Sequence, residues 1–224
     1  PPAHSAKQSI TAVEWLVRTY LQSDGDITLV PVGPLTNIAL AIRQAPEILE
    51  KIPEIVIMGG GHHVSNCTSS AEFNIWVDPE AARVVINCGR PIRLITLDAT
   101  HEALFTLKTC AALRDAGTPA ATCSASFAEV RIRAYDESQP MASPGAAPIH
   151  DALAVCVIME PDVVSTVYAH VDVETTGELT DGRTVVDIDR TGDRGRRPPN
   201  VNVALHADGE AFSEMMLRIL AKTI

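Results

Sequence analysis

With 224 residues, 46% of them hydrophobic and 21% charged, the chain is sized for one domain with a substantial core. Its formal net charge of −10 argues against nucleic acid or an anionic membrane as a general partner. Five cysteines (Cys67, Cys88, Cys110, Cys123, Cys156) form no C-x-x-C pair, which points to reduced thiols in a cytoplasmic protein and away from a zinc site. No apolar run reaches membrane-spanning length. The opening residues, Pro1 to Lys7, show no signal-peptide pattern and read like the middle of a loop.

In chain order, apolar residues at helical spacing predict a helix from about Ser5 to Leu21. Asp24-Gly25-Asp26 makes a turn, and Ile27 to Pro31 is a short buried strand. Gly33-Pro34 opens a helix through Leu35, Ile38 and Ile42, with another helical turn or two from Pro46 to Lys51. Ile55 to Met58 is an apolar strand ending at Gly59-Gly60-Gly61. Asp78 as N-cap, Pro79 in the first turn and Glu80 beside the positive helix end mark a helix running to about Asn87.

A strand follows at Ile92 to Leu97, then helices at Lys108 to Ala116 and Ala120 to Tyr135. Gln139 to Pro148, rich in Pro, Ala, Ser and Gly, reads as a mobile loop, and Tyr135 to Ala147 as a lid. His150-Asp151 begins a helix to Met159. Strands near Val164–Val173, Arg183–Ile188 and Val201–Leu205 and a helix from Glu210 to Leu220 close the chain. The alternation implies an α/β fold: an open, mostly parallel sheet flanked by helices, with extra strands in the C-terminal third.

In such sheets ligands bind beyond the carboxyl ends of the strands. Val32-Gly33, Met58-Gly59 and the loop carrying Asn66, Glu72 and Asn74 all fall there. Two amides and a carboxylate in one loop can bond several vicinal hydroxyls at once, although a polar loop without function has the same composition. His150 suits proton transfer near neutrality, and Asp151 could orient it, bind a hard cation or simply cap the helix. The glycine triplet lacks a Walker lysine and any complete G-x-G-x-x-G. Asp187 to Asp193 resembles a calcium loop, but Pro198 stands where the bidentate Glu belongs. His62-His63 reads as a pair of exposed loop residues, and Trp76 as either a packing residue or a stacking platform for a base.

Val30-Pro31-Val32-Gly33-Pro34-Leu35-Thr36-Asn37, Ile57-Met58-Gly59-Gly60, Asn66 through Ala82 and His150-Asp151 together resemble the inosine-uridine preferring nucleoside hydrolases. So do Thr175, Gly177, Leu179, Thr180, Gly182, Thr184 and Val185 of the late strand region. The resemblance implies hydrolysis of the N-glycosidic bond of purine or pyrimidine ribonucleosides to ribose and base, in catabolism or salvage. It implies a calcium cofactor bound by the Val32 carbonyl and the Asp151 carboxylate. It implies ribose contacts from Asn66, Glu72 and Asn74, a sugar pocket shaped by Met58 and Phe73, and a His150 that lies over the base and assists its departure. A homodimer or tetramer is also implied. The family's Asp-x-Asp-x-Gly-x-Asp-Asp segment does not occur in this sequence, and the first family strands are expected to be missing with it. The corresponding alternative is an inactive remnant that binds ribose or nucleoside, or serves only structurally.

Overall fold

The computed structural model describes residues 6, 7, 9–188 and 197–222. Ser5 and all of the Asp187 to Asp193 motif after Ile188 lie outside them. Helix α1 spans Ala12–Gln22 and starts later than the apolar spacing suggests, because the Thr11 hydroxyl caps it by accepting from the Glu14 N–H. Helix α2 (Thr36–Gln44) and a 3-10 turn at Pro46–Lys51 follow, then strand β1 (Ile55–Met58). A one-turn helix α3 (Phe73–Trp76) precedes α4 (Pro79–Ile86), which Asp78 caps. Strand β2 (Ile92–Ile95) leads into the short helix α5 (Leu97–Thr100) and strand β3 (Leu104–Thr106).

Helices α6 (Leu107–Ala116) and α7 (Pro119–Ser138) then run to β4 (Ala146–Pro148), and α8 covers His150–Met159. Strands β5 (Val164–Val173), β6 (Thr184–Asp187) and β7 (Val201–Ala207) and helix α9 (Gly209–Leu220) complete the order. The main sheet runs β1-β2-β7-β5-β6. Its first three strands are parallel, and β5 and β6 add an antiparallel edge. The sheet is thus mixed, with the C-terminal strands at one side.

The pleat sends alternate residues of β1 to opposite cores. Ile55 and Ile57 pack with α1, α2 and α4, while Val56 and Met58 pack with α6 to α9. Helix α7 turns a stripe of Ala121, Ala125, Ala128, Ile132 and Tyr135 inward, at the spacing of one helical face.

Two expectations need correction. Ile27 to Pro31 is not a buried strand: it lies along β1 through an isolated parallel bridge, Leu29 to Ile55, and a bond from the Met58 N–H to the Pro31 carbonyl, and Ile27 is exposed. Pro31 has no N–H with which to extend the ladder. The loop after α7 is also shorter than expected, because β4 pairs antiparallel with β3 and Tyr135 is a buried residue of α7. No helix among the described residues is long and apolar enough to cross a membrane.

Candidate active site

Val32, Met58, Asn66, Glu72, Phe73, Asn74, His150 and Asp151 line one cavity of about 430 Å³, with Arg131 and Ile149 completing its wall. It opens where β1 ends at Met58 and where the Leu29 edge segment ends at Val32, the carboxyl side of the parallel strands. A larger groove of about 670 Å³, by Arg90, Tyr168 and His170, lies at the amino ends of β2 and β7 and holds none of these groups.

Glu72 anchors the loop between β1 and α3. Its Oε2 accepts from the backbone N–H groups of Gly60 (2.9 Å), Asn74 (2.9 Å) and Ile75 (3.3 Å), so the carboxylate caps α3 while tying it to the glycine turn. Burial raises its carboxyl above the usual range, the three N–H bonds oppose that, and the charge of Asp151 adds to the rise. Asn74 donates Nδ2 to the Met58 carbonyl (3.1 Å), which leaves Oδ1 as an acceptor. Asn66 accepts from the Phe73 N–H (3.0 Å), which leaves Nδ2 as a donor. Donor, acceptor and carboxylate therefore meet in the cavity, as recognition of adjacent hydroxyls requires.

The glycine turn works through close approach. Gly60 has φ +68°, and a Cβ there would lie 2.7 Å from Thr184 Cγ2. Thr184 donates to the Gly61 carbonyl (2.6 Å) and accepts the Gly61 N–H (2.9 Å), pinning the turn to β6. Asp98 accepts from the backbone N–H of both His62 and His63, which explains that pair as part of a held loop. Trp76 does not line the cavity; its backbone packs against Gly182.

His150 is buried at the start of α8. Its Nδ1 lies 2.7 Å from the Thr100 hydroxyl and its Nε2 lies 3.0 Å from the Tyr135 hydroxyl. Thr100 Oγ1 donates to the Leu97 carbonyl, so it accepts from Nδ1–H, and Nε2 then accepts from Tyr135. Burial, with the positive charges of Arg131 and His101 nearby, lowers the His150 pKa to about 3, leaving a neutral ring at physiological pH. Both nitrogens are engaged inside the protein, so the ring reaches the cavity without a free donor.

Sequence reasoning passed over Arg131, Tyr135, Thr100 and His101. Arg131 and Tyr135 stand four apart on α7, the spacing of side chains on one helix face. Arg131 donates to the Pro148 carbonyl (3.0 Å) and to Tyr135 Oη (3.3 Å), with its guanidinium 4.9 Å from the Tyr135 ring centroid. The His101 ring lies 5.9 Å from that of His150. Burial lowers its pKa, against the pull of Asp98.

Calcium takes six to eight oxygens. Val32 and Asp151 both reach the cavity, but they bring one carbonyl and one carboxylate. Among the described residues no group of three or more His, Cys, Asp or Glu could hold a metal ion. Asp151 is exposed to the cavity, yet desolvation raises its carboxyl while Arg131 pulls the other way. These residues alone do not make a calcium centre.

A helix-capping carboxylate, two half-engaged amides and a second carboxylate line one cavity beyond the parallel strand ends of an α/β protein. The chain belongs to the inosine-uridine preferring nucleoside hydrolase family, whose sequence profile matches residues 1–214. A RihB relative from Shigella boydii serotype 4 is 41% identical over 205 residues, covering 92% of this chain and 82% of that protein. The pyrimidine-specific ribonucleoside hydrolase RihB of Escherichia coli O157:H7 is 40% identical over 211 residues, and the chain spans 66% of its length while 94% of this chain is covered. The solved purine-preferring ribonucleoside hydrolase from Gardnerella vaginalis superposes with a TM-score of 0.87 at 32% identity, covering 99% of this chain and 68% of that one.

Proposed function

We propose that the chain grips the ribose of a purine or pyrimidine ribonucleoside for hydrolysis of the N-glycosidic bond to ribose and free base, in nucleoside catabolism or salvage. The observation that carries this reading is the convergence of Asn66, Glu72, Asn74 and Asp151 in one cavity. Bond breaking builds positive charge on the ribose, and nearby carboxylates stabilise it more in the transition state than in the ground state. Asn66 and Asn74 hold the hydroxyls, Met58 and Phe73 shape the pocket, and the Thr100–His150–Tyr135 clamp fixes the wall on the base side. Of calcium, the chain would supply the Val32 and Asp151 ligands only. A cytoplasmic setting, supported by five unpaired thiols, and self-association as a dimer or tetramer, supported by family resemblance, belong to the same proposal.

The short donor set favours a second reading, a chain that binds nucleoside without cutting it. Calorimetry with ribose and uridine, with and without calcium, paired with a base-release assay on the same purified 224-residue chain, separates the two. Binding with base release supports hydrolysis; binding without release supports the second reading. Absence of ribose and uridine binding overturns both.

A further inference from the structure

Arg131 is the only cationic side chain lining the cavity among the described residues, facing a set that includes Glu72 and Asp151. Its Nε is committed to Pro148 and its Nη2 to Tyr135, while Nη1 has no partner among the described residues. Pro148 ends β4, which is tied into β3, so the guanidinium is braced from both sides. The neighbouring groups have no proton to offer: the Tyr135 hydroxyl is spent on His150, and His150 is spent on Thr100. A guanidinium braced by Pro148 and Tyr135, with one edge left over at the cavity, is a recognition group for an oxygen that gains negative charge.

We propose that Arg131 is the residue that binds the leaving base, and that it selects bases carrying a carbonyl oxygen beside the glycosidic nitrogen, the pyrimidine class. This rests on the ribose-site reading above and adds the base to it. As water's oxygen bonds to C1′, the C1′–N1 electron pair passes to the base and spreads onto O2. Nη1–H donates to that oxygen, and the proton given up by the water ends on the base, leaving ribose and a neutral pyrimidine. A purine offers only a ring nitrogen at the equivalent place, a weaker partner for the guanidinium.

The test is equilibrium binding of ribose, uridine and inosine, with calcium present, to the 224-residue chain and its R131Q and R131K variants. Uridine should bind the unsubstituted chain about 10-fold more tightly than ribose, the scale of one hydrogen bond to a charged group. R131Q should bring uridine down to the level of ribose and leave ribose unchanged, with R131K keeping part of the difference. Equal losses of ribose and uridine in R131Q would assign Arg131 to packing and overturn the proposal. So would an unchanged uridine affinity in R131Q, uridine binding no tighter than ribose in the unsubstituted chain, or inosine binding tighter than uridine. Failure of ribose itself to bind the unsubstituted chain would instead overturn the ribose-site reading on which the proposal rests.

Discussion

The Tyr135 hydroxyl donates to His150 Nε2 across 3.0 Å inside the protein, so the imidazole meets the cavity wall already satisfied. A group positioned in this way holds others in place. His150→Ala should lower stability by about 2–4 kcal/mol at neutral pH, since two buried hydroxyls lose their partner and a void opens.

The same substitution should change the response to acid. The folded His150 pKa is lowered to about 3 from 6.5, so below 6.5 the unfolded chain takes up a proton that the folded one refuses. The His150 contribution is therefore full above pH 6.5 and is lost as pH falls towards 3. Urea melts of both proteins across this window should differ in slope by up to about 1.4 kcal/mol per pH unit, the unsubstituted chain losing more. The raised carboxyls of Glu72 and Asp151 act in the opposite direction but are common to both proteins. Parallel curves would contradict the buried neutral ring.

Glu72→Ala removes a carboxylate that accepts three backbone N–H groups. A loss of about 1–3 kcal/mol is expected in thermal or urea unfolding, together with loss of ribose binding. Unchanged stability would show that the cap is replaced by solvent.

Gly60→Ala combines a left-handed φ with a Cβ 2.7 Å from Thr184 Cγ2. The expected cost is about 1–3 kcal/mol, and Thr184→Ser, which removes the nearest methyl, should return part of it in the double variant. Additive costs, measured by a double-mutant cycle, would show that the contact is not the cause.

Calcium alone should bind the purified chain no more tightly than about 10⁻³ M, the weak end of protein calcium sites, because Val32 and Asp151 offer only one carbonyl and one carboxylate. Micromolar binding by calorimetry would require donors outside this pair.

The sheet was legible where local pattern and tertiary demand agree. Ile55–Met58 is apolar at every position because both its faces are buried, and it ends at a glycine turn. Helix α4 announced itself through Asp78 and Pro79. Ile27 to Pro31 carries the same apolar signature but ends in a proline at the sheet edge, and a short apolar run cannot report which strand has a neighbour on each side. Strands β3 and β4 have only three residues each and exist through pairing across the α6–α7 hairpin. In the cavity, Asn66, Glu72 and Asn74 were readable because they share one loop. Arg131 and Tyr135 were not, because α7 brings them to His150 from 15 or more residues away and no short motif contains all three.

A crystal of the chain soaked with ribose decides whether the cavity is a sugar site. Ribose hydroxyls are expected within hydrogen-bond distance of Asn66 Nδ2, Asn74 Oδ1 and the Glu72 carboxylate, with the anomeric carbon facing the Arg131 wall. Ribose bound in the groove by Arg90 and His170, or no ribose at all at saturating concentration, would contradict it.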